Sequence, residues 1–129
     1  MELYALKDLV YNVINDEEDF AFATSIISQT LKSFALKQNK DKFYILVKEE
    51  PNFMDFRELG VYVSGLVELI CSQLGVDPPE WVFNSCYFLS EKFCTLGGYD
   101  RIPKFLSSNT LGVFAVRNYF TNERGLDNV

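Results

Sequence analysis

Apolar positions in the first 75 residues recur at helical spacing. Leu3, Leu6, Val10 and Val13 lie three and four apart and predict an amphipathic helix over residues 2–14. Phe20, Ala23, Ile27, Leu31 and Phe34 continue the pattern and predict a second helix ending near Lys37. Asn39-Lys40-Asp41 reads as a polar turn. The run Phe43-Tyr44-Ile45-Leu46-Val47 within residues 42–49 fits a buried strand or a helix, and helix is favoured because no partner strand lies nearby. The strongest pattern runs from Met54 to Leu74. Phe56, Leu59, Val63, Leu66, Ile70 and Leu74 follow at intervals of three or four, and Tyr62, Val67 and Leu69 widen the face. A helix this apolar belongs at the centre of a domain. Gly60 and Gly65 inside it suggest close approach of a neighbour, and Gly75 has the place of a C-terminal cap.

Beyond Gly75 the pattern changes. In Asp77-Pro78-Pro79-Glu80, Asp77 is expected to cap a short helix, with Pro78 at its first position and Glu80 three after the cap. Trp81, Val82 and Phe83 would lie on it. From Asn84 onward no clean period survives. Gly97-Gly98 reads as a turn, and short helices are expected over 100–106, interrupted by Pro103, and over 110–116, capped by Asn109 or Thr110. Tyr119-Phe120 predicts a tail docked on the body. The expected fold is all-α: one domain over residues 1–129, a bundle of about five main helices with an irregular C-terminal third.

Composition supports a packed core, with 48% hydrophobic and 16% aromatic residues. The net charge of −6 argues against a nucleic-acid grip by the whole surface. Six acids stand against one base in residues 1–20, whereas residues 101–129 hold four bases and two acids. The cluster Asp16-Glu17-Glu18-Asp19 reads first as helix-start chemistry, and Lys32, Lys37 and Lys40 suit the far end of the second helix. No run approaches the roughly 20 apolar residues that cross a bilayer, and Met1-Glu2-Leu3-Tyr4 does not open a secretory signal. Cys71, Cys86 and Cys94 read as reduced thiols that act as small buried hydrophobes, so a cytoplasmic location is expected.

Candidate chemistry is sparse. The chain has no histidine, which excludes self-contained Ser-His-Asp and Cys-His systems, His-bearing zinc sites and imidazole acid–base catalysis. Cys86 and Cys94 are too far apart for the close pair of a structural zinc site. Gly97-Gly98 lacks the spacing of a phosphate loop. Glu49-Glu50 and the 16–19 cluster read as solvated acids at helix ends. No catalytic residue, metal or cofactor is expected. Trp81 fits either a core anchor or a binding hot spot. Arg117, in Phe114-Ala115-Val116-Arg117-Asn118-Tyr119-Phe120, must find an anion, a carbonyl or a π-face, or clamp a helix end.

The order of Leu-Val-Lys-Glu-Glu-Pro at 46–51, Asp-Pro-Pro-Glu-Trp at 77–81 and the Phe-x-x-Arg-Asn-x-Phe tail at 114–120 resembles a loosely characterised bacterial all-helical domain of antitoxin-like proteins. The resemblance covers residues 43–126. Domains of that kind are often joined to helix-turn-helix regulators or sit beside nucleotidyltransferase-like toxins. The resemblance implies a non-enzymatic module that masks a partner protein, a nucleotidyltransferase-like toxin among the candidates. Trp81, Arg117, Asn118 and Tyr119 are the candidate contacts. The first two predicted helices are too acidic to act as a DNA-binding region, so no direct nucleic-acid contact is expected. Two other readings stand beside it: an acidic phage or mobile-element inhibitor that mimics nucleic acid, and a metal-dependent enzyme using carboxylates.

Overall fold

The computed structural model describes residues 5–16, 19–37, 39–95, 98–99 and 101–128. Leu3, Glu17, Glu18, Gly97 and Asp100, which figure in the expectations above, lie outside them.

The architecture is all-α. Helices α1 (Leu6–Asp16), α2 (Phe20–Lys37), α3 (Lys40–Val47) and α4 (Arg57–Leu74) carry most of the chain, and the short α5 (Lys104–Asn109) and α6 (Gly112–Ala115) follow. The short helix expected after Asp77 is a single 3-10 turn, Glu80–Phe83, followed by another, Ser85–Tyr87. Asp77 does not cap it; Pro79 occupies the cap position with φ −65° and ψ 151°. The reason is steric. Pro78 precedes Pro79, whose ring disfavours the helical region for the residue before it, so the helix cannot begin at Pro78 and starts after Pro79.

Each long helix buries its apolar stripe. Leu6, Leu9, Val10, Val13 and Ile14 are buried on α1, and Ala23, Ile27, Leu31 and Ala35 on α2. Asp19 opens α2 as a cap, its Oδ1 accepting from the backbone N–H of Ala21 at 2.9 Å and of Phe22 at 3.3 Å. Asn39 is likewise a cap rather than a turn residue, accepting from Lys42 N–H at 2.9 Å. It settles 40–47 as helix. Lys32 does not serve the C-terminal dipole of α2, because its ammonium turns inward to Glu123 at 2.6 Å.

The central position expected for α4 holds: Leu59 through Val67 are buried without a break. The helix packs against α2, α3, α6, the two 3-10 turns just named and a third, Gly125–Asn128, near the C-terminus. Gly65 is where Phe114 lies closest; an added Cβ would meet its ring at 2.7 Å. Gly75 ends α4 at φ +77°, with its N–H on Ser72 O and the N–H of Val76 on Cys71 O. This is the two-bond helix stop that glycine allows. Phe56, expected on the apolar stripe, precedes the helix and is 36% exposed.

The C-terminal third holds what periodicity cannot predict. Strands β1 (Phe93–Cys94) and β2 (Tyr119–Phe120) pair in parallel, Phe93 opposite Tyr119. Two residues are too short to show alternation. α5 starts after Pro103, and α6 starts after Leu111 without the expected Asn109 or Thr110 cap. Thr110 instead ties the end of α5 to the tail, its hydroxyl donating to Leu106 O at 2.6 Å and accepting from Thr121 N–H at 3.2 Å. No helix among the described residues is long and apolar enough to cross a membrane.

Candidate functional site

The residues expected to meet a partner are used inside the fold. Trp81 is 7% exposed, and its indole N–H donates to Val47 O at 2.9 Å, satisfying a carbonyl that the end of α3 leaves orphaned. Arg117 is fully buried. Its Nε donates to Ser64 Oγ at 3.1 Å, Nη1 to Glu68 and to Val113 O at 2.7 Å each, and Nη2 to Val82 O at 2.7 Å. The guanidinium lies over the Phe88 ring, 4.6 Å from its centroid. One side chain thus joins α4, α6, the first 3-10 turn and the segment after the second. Burial draws its pKa down, and Glu68 opposes that shift. Asn118 is half-buried at φ +59°, a left-handed conformation that asparagine tolerates, and its Nδ2 donates to Leu89 O at 2.7 Å. Tyr119 is fully buried among Tyr62, Phe93 and Phe114. Arg117, Asn118 and Tyr119 form part of the internal frame of the C-terminal third, Trp81 instead ties the first 3-10 turn to the end of α3, and Trp81, Arg117 and Tyr119 are buried.

A second polar centre gave no signal in the sequence. The Glu123 carboxylate is 9% exposed and receives Tyr62 OH at 2.6 Å, Ser28 Oγ at 3.4 Å, Lys32 Nζ at 2.6 Å and the N–H groups of Arg124 and Gly125. Burial pushes its pKa up, but Lys32 and Tyr62 together outweigh that and leave it below its ordinary value. Every contact is internal, so this centre anchors the tail.

The accessible site lies elsewhere. The segment between α3 and α4 and the second 3-10 turn enclose a cleft of about 810 Å³, lined in part by Glu50, Phe53, Met54, Arg57, Cys86 and Tyr87. The local chain explains its shape. Asn52 Oδ1 accepts from Met54 N–H at 2.9 Å, and this tight turn throws Met54 to φ +54° with its side chain 61% exposed. Gly60 on α4 lets Phe53 and Tyr87 approach; a Cβ there would meet both rings at 3.0 Å. The two rings meet edge to face at 5.8 Å. Glu50 is exposed, as the sequence reading has it, and is also oriented by two neighbours. Tyr87 OH donates to its Oε2 at 2.5 Å, and Asn84 Nδ2 lies 3.2 and 3.3 Å from its two oxygens. Burial, and then Glu50, raise the Tyr87 phenol far above its ordinary range. Cys86 is exposed on the cleft, against the expectation of a buried thiol, whereas Cys71 and Cys94 are buried. Asp55 adds a second acid to the lining, and among the described residues no three acids or cysteines gather to form a metal cage.

Strain, exposed apolar surface and an oriented carboxylate therefore coincide in this cleft. Among known proteins no family profile, curated sequence or solved structure matches the chain.

Proposed function

We propose that the chain is a non-enzymatic protein-interaction module of the antitoxin kind, which masks a basic partner protein in the cytoplasm and contacts it through the cleft beside Met54. Met54 carries the reading. A methionine held in the left-handed backbone region is strained, such strain clusters at binding sites, and this side chain stands exposed on the lining of the cleft. The reactive-looking side chains Arg117, Glu123 and Trp81 are consumed by internal bonds, which leaves recognition rather than catalysis as the use of the surface. The net charge of −6 favours a basic partner, and a nucleotidyltransferase-like toxin is the candidate that the motif order suggests.

The test is capture of partners by the tagged chain and by a Met54→Asp variant, from cells that naturally make the protein. The expected result is one stoichiometric basic protein that the unaltered chain retains and the variant loses while keeping its helical circular dichroism. No stoichiometric partner, or equal retention by the variant, would overturn the reading.

A further inference from the structure

We propose that the cleft receives one basic side chain of the partner, a lysine or an arginine, with its cationic head on Glu50 and its methylene stem against Met54, Phe53 and Tyr87. This deepens the interaction reading and rests on it. Three observations carry the choice of occupant.

The first is the state of Glu50. An ionised carboxylate offers about four acceptor sites. Here Tyr87 OH takes one on Oε2, and Asn84 shares a single amide between both oxygens, leaving Oε1 with only a long contact of 3.3 Å. The carboxylate is exposed and oriented by Tyr87 and Asn84, so it presents its charge to an incoming group, and a cation is the ligand that matches it. Because its orientation is already fixed, little ordering is lost on binding. The second is the floor. Tyr87, bonded to the acid, and Phe53, packed on Tyr87, line the same cleft, and aromatic rings beside a carboxylate suit an alkyl cation better than a hydrated metal ion. The third is charge. Glu50 and Asp55 line the cleft against one base, Arg57. Arg57 also lines the neighbouring cleft of about 310 Å³ with Tyr99 and Glu91, and its charge acts on the Tyr99 phenol.

The chain carries its own reporter. Trp81 is the single tryptophan, and its ring meets Tyr87 edge-on at 5.7 Å. Trp81 fluorescence is followed while the full chain is titrated with n-butylguanidinium, n-butylammonium or neutral n-butanol. The expected result is a saturable change with both cations, with a midpoint on the order of millimolar for so small a ligand, and none with butanol. Glu50→Gln should weaken the cations roughly 10-fold or more. Glu49→Gln, the same charge change on a residue that pairs with Lys7, should leave them unchanged. No saturation, an equal response to butanol, or equal weakening by both variants would overturn the inference. If Glu50→Gln unfolds, competition by n-butylguanidinium for the captured partner decides in its place. A partner that Met54→Asp releases but n-butylguanidinium does not displace would overturn the basic side chain and leave the interaction reading standing. Cation binding with no captured partner would uphold the site's chemistry and remove that reading.

Discussion

Arg117 and Ser64 meet at 3.1 Å where neither is reached by water, an arginine from the tail bonded to a hydroxyl in the middle of α4. Ser64 also donates to Val61 O, so the hydroxyl both gives and receives. The arginine leaves no donor-bearing nitrogen idle.

Arg117→Ala should therefore be among the most damaging single changes. It strands Ser64, Val82 O and Val113 O without their donor and leaves Glu68 without its cation. A loss on the order of 3–5 kcal/mol is expected from breaking a buried pair. Urea unfolding followed by circular dichroism measures it. A loss below about 1 kcal/mol would mean that water replaces the guanidinium at little cost.

Tyr119→Phe should act in the opposite direction. The Tyr119 hydroxyl is buried and has no hydrogen-bond partner among the described residues. Removing it spares a desolvation cost of about 1–3 kcal/mol while the ring stays among its aromatic neighbours. A higher midpoint of thermal unfolding is expected, and a clear drop would show that the hydroxyl is satisfied in solution.

Glu123 links stability to pH. Its pKa is lowered on folding, so its contribution is full above the ordinary value of 4.5 and disappears as pH falls through the lower, folded value. Glu123→Gln should be less stable at neutral pH, and the gap to the unaltered chain should close on acidification below 4.5. Unfolding free energies of both proteins from neutral pH down to the acid range check this. A gap that stays constant would contradict it.

Met54→Gly should separate stability from binding. Glycine adopts φ +54° without the steric cost that methionine meets there, a relief of about 1 kcal/mol. Little packing is lost from a side chain so exposed. The variant should unfold at higher denaturant and hold the captured partner more weakly. Unchanged capture would take Met54 out of the contact.

What the sequence makes legible follows from how local each cause is. The limits of α2 coincide with the expected Phe20 to Lys37, because Asp19 is a cap and the stripe Ala23, Ile27, Leu31 repeats over several turns. Gly75 is equally local. Asp77 misleads because its capping chemistry is right, while Pro79 keeps Pro78 out of the helical backbone that the first position requires. Arg117 is conspicuous among aromatics, but sequence alone leaves a clamp and an exposed contact equally open; burial decides. Glu50 and Glu123 are hidden for another reason. Their partners Tyr87 and Ser28 lie 37 and 95 residues away along the chain, and no period or motif spans such distances. Glu50 sits within the Glu-Glu-Pro motif, which marks a helix end without saying that a tyrosine will fix its carboxylate.

The attachment of the tail has a consequence for how the molecule is made. A nascent chain emerges from its N-terminus, so α1 to α4 are available before residues 114–126 exist in free solution. Until those residues arrive, Ser64, Tyr62 and Lys32 lack the arginine and carboxylate they meet in the finished protein, and the groove that Phe114 fills over Gly65 stands open. Contacts across so many residues are slow to form. On the ribosome the strand Tyr119–Phe120 and the turn after it are thus laid down after α1 to α4. A chain halted once α4 is made would expose the face of that helix that the later residues cover.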